Sequence, residues 1–140
     1  FHEALTRLVY GRPDPRPGAF APLYRSTGDF LEIVNTVTGQ DYGWFFRGYL
    51  YNAALPVLNQ TLEEGVLRLD WTTGDGAAFP MPVEVEIDGR VQTVAMTDGR
   101  GSIPVPAGAH VLIDPQNKVL RQMDVIDALQ AYKAARAKAG

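Results

Sequence analysis

Residues 39–56 read GQDYGWFFRGYLYNAALP, and a short way on residues 67–71 read LRLDW. The first stretch crowds six aromatic side chains, Tyr42, Trp44, Phe45, Phe46, Tyr49 and Tyr51, into ten residues and then meets Pro56. Proline has no N–H to donate and its ring clashes with the preceding turn, so a helix cannot run through it. The second stretch alternates Leu67, Leu69 and Trp71 with Arg68 and Asp70, the period of two that marks a strand with one buried face. The hydrophobic period therefore changes from 3.6 to 2 near Leu55. Helices are expected before that point and antiparallel strands after it.

Working back from the aromatic stretch, Asp41 is a ready N-cap for a helix from Tyr42 to Asn52, and Gly39 suits the left-handed residue that ends the helix before it. That earlier helix starts at Ser26, whose hydroxyl can cap it, with Asp29 three residues on favouring the positive helix start. Phe30, Ile33, Val34 and Val37 are expected on its buried face. Phe1, Ala4, Leu5, Leu8 and Val9 recur at helical spacing, so a first helix ends near Tyr10 and Gly11. Between the two, Pro13, Pro15, Pro17 and Gly18 make Arg12 to Gly18 a stiff loop.

Working forward, Val83, Val85 and Ile87 alternate with Glu84, Glu86 and Asp88, and Asp88-Gly89 is a two-residue hairpin turn. The return strand runs from Val91 to Met96. Asp98-Gly99-Arg100-Gly101 turns again into Ser102 to Val105, followed by strands at His110 to Ile113 and Val119 to Arg121. Pro80, Pro82, Pro104 and Pro106 place their strand ends at sheet edges. After Met123 an alanine-rich segment has Asp124 as cap and Val125, Ile126, Leu129 and Tyr132 on one face. The fold class expected is thus α+β: an N-terminal helical segment (1–54), a small antiparallel Ig-like β-sandwich (55–122), and a C-terminal helix (123–140) that could also open a further helical domain.

Composition narrows the chemistry. In 140 residues, 46% are hydrophobic and 21% charged, an ordinary globular balance. Thirteen Lys and Arg against sixteen Asp and Glu leave a net charge of −3, so there is no basic excess to neutralise a phosphate backbone, and no nucleic-acid partner is expected. With no cysteine there is no disulfide, thiolate nucleophile or Cys-based metal site, and the compartment stays open. No apolar run approaches the roughly 20 residues of a membrane span. The chain begins at Phe1, directly in helical pattern, which reads as a cut rather than a native start.

Asp29-Phe30, Gly39, Asp41, Phe45-Phe46, Pro56 and Leu58 come in order, then Leu67, Leu69 and Trp71, then Val111, Ile113-Asp114-Pro115 and Val119-Leu120-Arg121. Order and spacing together resemble the aminopeptidase N family of zinc metallopeptidases, where the thermolysin-like domain ends in a similar pattern and a β-sandwich follows. The resemblance covers residues 1–122, and departs where Tyr49-Leu50-Tyr51 stands in place of a frequent tryptophan. It implies a non-catalytic C-terminal piece whose role is structural, between domains. Its partner would be the catalytic domain of the same chain. The parent would remove N-terminal residues from peptide substrates with a zinc-activated water.

That family's zinc motif, H-E-x-x-H on one helix face with a further glutamate downstream, is not carried here. His2-Glu3 begins it, but Thr6 stands where the second histidine belongs and Arg25 at the glutamate position. The site residues expected are therefore none: no catalytic, cofactor-binding or metal residue, with zinc in the parent only. Glu84, Glu86 and Asp88 read as the wet side of a strand rather than a glycosidase carboxylate pair. No serine stands in a G-x-S-x-G elbow. Gly74-Asp75-Gly76 and Gly99-Arg100-Gly101 read as turns, since Phe79 and Pro104 fill the third glycine position of a dinucleotide motif. Asn59-Gln60-Thr61 meets the glycosylation sequon. The aromatic run is either a stacking platform or, as favoured, a joint against the β-domain. The competing reading of the whole is a free-standing β-sandwich that binds protein or carbohydrate.

Overall fold

Local chemistry starts the second and third helices where the sequence marks them. In the computed structural model, which describes residues 1–14 and 23–126, α1 spans His2–Tyr10 and ends on Gly11 in the left-handed conformation. α2 spans Thr27–Thr38. Its start is a full capping box: the Ser26 hydroxyl accepts from the Asp29 N–H (3.1 Å), while the Asp29 carboxylate accepts from the Ser26 N–H (2.6 Å). Two orphan donors of the first turn are thereby satisfied. Gly39, at φ 69°, closes the helix, its N–H donating to the Asn35 carbonyl. α1 and α2 pack on each other. The apolar stripe of α2 is less covered than its period predicts, since Phe30, Ile33, Val34 and Val37 are all half-buried and no residue of the helix is fully buried.

The expected single helix from Tyr42 to Asn52 is two pieces. α3 covers only Gly43–Phe46, and the chain then widens into a π-helical turn over Arg47–Tyr51. Asp41 caps as expected, accepting from the Gly43 N–H (2.8 Å), and the Tyr42 N–H donates to the Asn35 side chain (2.8 Å). The π turn puts Gly48 directly against Phe79: a Cβ at Gly48 would lie 2.6 Å from the ring. Only glycine lets the backbone approach that closely. The chain divides into two compact units between Phe46 and Arg47.

The second unit holds two three-stranded antiparallel sheets. β1 (Val57–Glu63), β2 (Val66–Thr72) and β5 (Arg100–Pro104) form one, in that order; β4 (Arg90–Val94), β3 (Val83–Ile87) and β6 (Val111–Ile113) form the other. β1–β2 and β3–β4 are hairpins whose central residues, Glu64-Gly65 and Asp88-Gly89, both have positive φ. Such turns match the twist of the strands they join. Asp98-Gly99 makes a third turn of this kind, closed by a Thr97–Arg100 bridge. The chain then leaves the second sheet, and β5 pairs with β2, Leu69 lying opposite Gly101. The inward positions carry the core: Leu67, Leu69 and Trp71 on β2, Val83, Val85 and Ile87 on β3, Val94, Ile103, and the loop residues Phe79, Met96 and Val105. Phe79 sits edge-on to both Trp71 (5.3 Å) and Tyr49 (5.4 Å), and the Trp71 indole N–H donates to the Met81 carbonyl (2.8 Å).

The α+β class holds in this coarse form, with several corrections of detail. β1 has no counterpart in the expected strands, because it is exposed along nearly its whole length and shows no burial period. β4 stops at Val94 rather than Met96, and β5 starts at Arg100 rather than Ser102. Val119 to Arg121 is not a strand. The segment is instead shaped by Asp114, whose buried carboxylate accepts from the Lys118 N–H (2.8 Å) and the Val119 N–H (3.1 Å). Pro82 precedes a central strand, not an edge one, while Pro104 does lie on an edge strand. A helix begins at Asp124. The rest of that expected helix, and Pro15, Pro17 and Gly18 of the expected loop, lie outside the described residues.

Candidate functional site

The residues that suggest chemistry in the sequence are scattered. His2 is exposed at the start of α1, its ring edge-on to Phe1 (5.9 Å). The neighbouring Glu3 is held by Arg7 one turn on (2.6 Å). With Thr6 and Arg25 at the remaining ligand positions, this donor set does not fit zinc, which takes three or four nitrogen, sulfur or carboxylate ligands around one point. His110 is exposed in the other unit. Among the described residues no three His, Cys, Asp or Glu side chains come together.

The carboxylates of β3 lie opposite its buried valines. Glu84 and Glu86 are half-buried and Asp88 is exposed, and Glu84 is paired with the Lys118 ammonium (2.7 Å). Asp88 accepts from the His110 N–H (2.9 Å), which ties the turn to the start of β6. Asn59 of the sequon is exposed on β1, with its side-chain amide donating to the Asp70 carbonyl (3.3 Å) and the Thr72 hydroxyl (2.9 Å).

Of the glycine fragments, 74–76 is a turn whose Asp75 carboxyl is held below the usual range by the Ala77 N–H and then the Thr73 hydroxyl. Gly99-Arg100-Gly101 runs from a turn into β5, and Arg100 pairs with Asp70 (3.0 Å). A cleft of about 320 Å³ lies beside these residues, lined by Asp70, Thr72, Gly76, Asp98 and Arg100 among others.

The aromatic run divides between the two units. Tyr42, Trp44, Phe45 and Phe46 make ring contacts with one another, and Phe46 packs edge-on to Phe30 (5.6 Å). Tyr49 belongs to the second unit, where its hydroxyl donates to the Leu120 carbonyl (2.8 Å). Burial, and next the nearby Asp114 carboxylate, push the Tyr49 phenol up to about 12. An ionised oxygen there would be both poorly hydrated and repelled. The phenol is thus kept as a hydrogen-bond donor.

One concavity was not marked by any motif. A groove of about 550 Å³ opens between β1 and β6, lined by Leu58, Gln60 and Leu62 of β1, Leu67 of β2, Val111, Leu112 and Ile113 of β6, and Arg121. Register explains the lining. Leu58, Gln60 and Leu62 stand opposite Trp71, Leu69 and Leu67 and so share the apolar face of β2, yet Leu62 is 55% exposed. The Arg121 Nε is buried and has no hydrogen-bond acceptor among the described residues. A buried donor left so costs about 1–3 kcal/mol. In sequence the signal was weak, because Gln60 interrupts the leucines and Arg121 follows Val119-Leu120 like the polar end of a strand.

Among the described residues, no helix is long and apolar enough to cross a membrane. Comparison with protein families, with curated proteins and with solved structures finds no match.

Proposed function

We propose that the chain is the part of an aminopeptidase N-like zinc metallopeptidase that runs from the end of the thermolysin-like domain through an Ig-like β-sandwich, and that its role is structural, between domains. The observation that carries this reading is α2. It is capped at both ends, so its local design is complete, yet its apolar stripe remains half-buried. A helix in that condition has a face suited to a further body of protein. Supporting it are the order of helices before sheets, the burial of Leu67, Leu69 and Trp71 in the strand that resembles the family's pattern, and the structural duty of Asp114 in Ile113-Asp114-Pro115. Tyr24, at 99% exposure, and Phe1, at 84%, add apolar surface on the same unit. The parent would hydrolyse N-terminal residues from peptides; this stretch would supply no ligand and no catalytic group.

The test is the coding sequence immediately upstream, which is expected to carry H-E-x-x-H and a downstream glutamate. Its absence there, or aminopeptidase turnover by this chain alone, would sink the reading. A second reading, a β-sandwich module that binds protein or carbohydrate, is favoured by one observation, the groove between β1 and β6.

A further inference from the structure

The β1–β6 groove has the parts of a strand acceptor. β6 is a three-residue outer strand of its sheet. Its bonds to β3 fall at alternate positions: the Asp88 N–H donates to the His110 carbonyl (3.0 Å) and the Asp114 N–H to the Glu84 carbonyl (2.7 Å). In an antiparallel ladder the intervening residues, Val111 and Ile113, then point their N–H and C=O groups away from β3. Lining the same groove are the side chains of Leu58 and Leu62, which continue the apolar face of β2. Arg121 stands in the same lining with its Nε buried and lacking an acceptor among the described residues.

We propose that this groove receives an extended peptide segment of a partner protein, which pairs with Val111 and Ile113, lays alternate apolar side chains over Leu58 and Leu62, and sets a carboxylate against the Arg121 guanidinium. Each part answers a group of the groove. Backbone pairing supplies affinity and the alternate pockets supply selectivity, as in other strand additions. The carboxylate follows from charge, since Arg121 lines the groove and a guanidinium takes a carboxylate as its strongest partner. A sugar would find aliphatic walls and no aromatic ring in the lining. The inference rests on the groove alone and holds or fails independently of the family reading.

The test uses the full chain and a fluorescein-labelled peptide of about seven residues, the length of a short strand, alternating valine with glutamate so that some register brings a carboxylate to Arg121. Fluorescence anisotropy is expected to show saturable binding. Replacing glutamate by glutamine in the peptide, or Arg121→Gln in the protein, is expected to weaken it about tenfold. A proline at the central valine removes a ladder N–H and is expected to abolish it. Leu62→Asp, at an exposed position, is a second variant that charges the apolar floor, with circular dichroism confirming that both variants fold. The proposal is overturned by no saturable binding, by equal binding of the proline peptide, or by two folded variants with unchanged affinity. Self-association of the chain that the peptide fails to displace would assign the groove to a second copy instead, and would overturn it too.

Discussion

β1 and β2 are strands of equal length, seven residues each, paired residue for residue from Val57 opposite Thr72 to Glu63 opposite Val66. Their inward faces are continuous, yet β2 hides Leu67, Leu69 and Trp71 to 6% exposure or less while Leu62 of β1 stands 55% exposed. Being in the sheet is the same for both. What differs is the cover over that face: it is buried along β2, while at β1 it lines a groove. The difference teaches that an alternating pattern reports the layer facing a strand rather than the strand itself.

The comparison breaks most directly at Leu69, which is 1% exposed. Leu69→Ala is expected to destabilise the fold by about 3 kcal/mol, through lost burial and the cavity left behind, as read from urea unfolding. A cost close to zero would mean that β2 is no better covered than β1. Next is Gly101, directly opposite Leu69 on β5, where a Cβ would lie 2.6 Å from the Ala95 carbonyl and 2.7 Å from Met96 Sδ and Val94 Cγ1. Gly101→Ala is therefore expected to cost about 2 kcal/mol by overpacking. If thermal unfolding instead showed no loss, the close approach of β5 to the end of β4 would be wrong.

Tyr49 sharpens the comparison at its margin, because its hydroxyl anchors Leu120, next to Arg121 in the groove wall. Tyr49→Phe is expected to cost about 1 kcal/mol. Its pH dependence has a definite sign. The phenol is raised from 10.0 to about 12 in the fold, chiefly by burial, so its contribution is full below pH 10 and is lost as pH rises through 12. Wild-type stability should fall over that window more steeply than the Tyr49→Phe variant does.

Ser26→Ala, in the other unit, is expected to cost up to about 1 kcal/mol by removing the α2 cap, without altering either sheet. Asp29, held below its ordinary pKa by the Ser26 N–H and then the Ser26 hydroxyl, works in the opposite pH direction. Its contribution is present above the ordinary aspartate pKa of 3.8 and is lost as pH falls through the lowered value. The smallest effect is expected at Leu62→Ala, within about 0.5 kcal/mol. A cost rivalling that of Leu69→Ala would show that the groove is filled in solution.

Much of the fold was legible because the relevant forces act between near neighbours. Ser26 with Asp29, Gly39, Asp41 and the Asp88-Gly89 turn each act within a few residues, and each takes the form that its local chemistry predicts. The alternations of β2 and β3 were legible for a different reason: both strands are central in their sheets and have their inward faces covered. The misread segments all depend on distant partners. The helix through Tyr42 to Asn52 breaks where Gly48 meets Phe79, far along the chain. Val119 to Arg121 has strand composition, but Asp114 takes the backbone N–H groups of Lys118 and Val119, and the Gln122 N–H goes to the Pro56 carbonyl (2.9 Å).

The groove was the least legible feature. Its lining comes from three separate stretches, around residues 58–67, 111–113 and 121, none of which carries a motif. Nor did the aromatic run announce how it would be divided, since its rings differ in sequence by little and in surroundings by a great deal.

By itself, then, the sequence determined the class of the chain, helices first and antiparallel strands second, together with the caps, the tight turns and the buried faces of the two central strands. These follow from backbone sterics and from periodicity, which are properties of neighbouring residues. Only the tertiary structure decided that β5 crosses to pair with β2, that β1 is a strand at all, and that its leucines open onto a groove beside Arg121. Those outcomes depend on which surfaces face one another, and no residue records in its own identity what will be packed across from it.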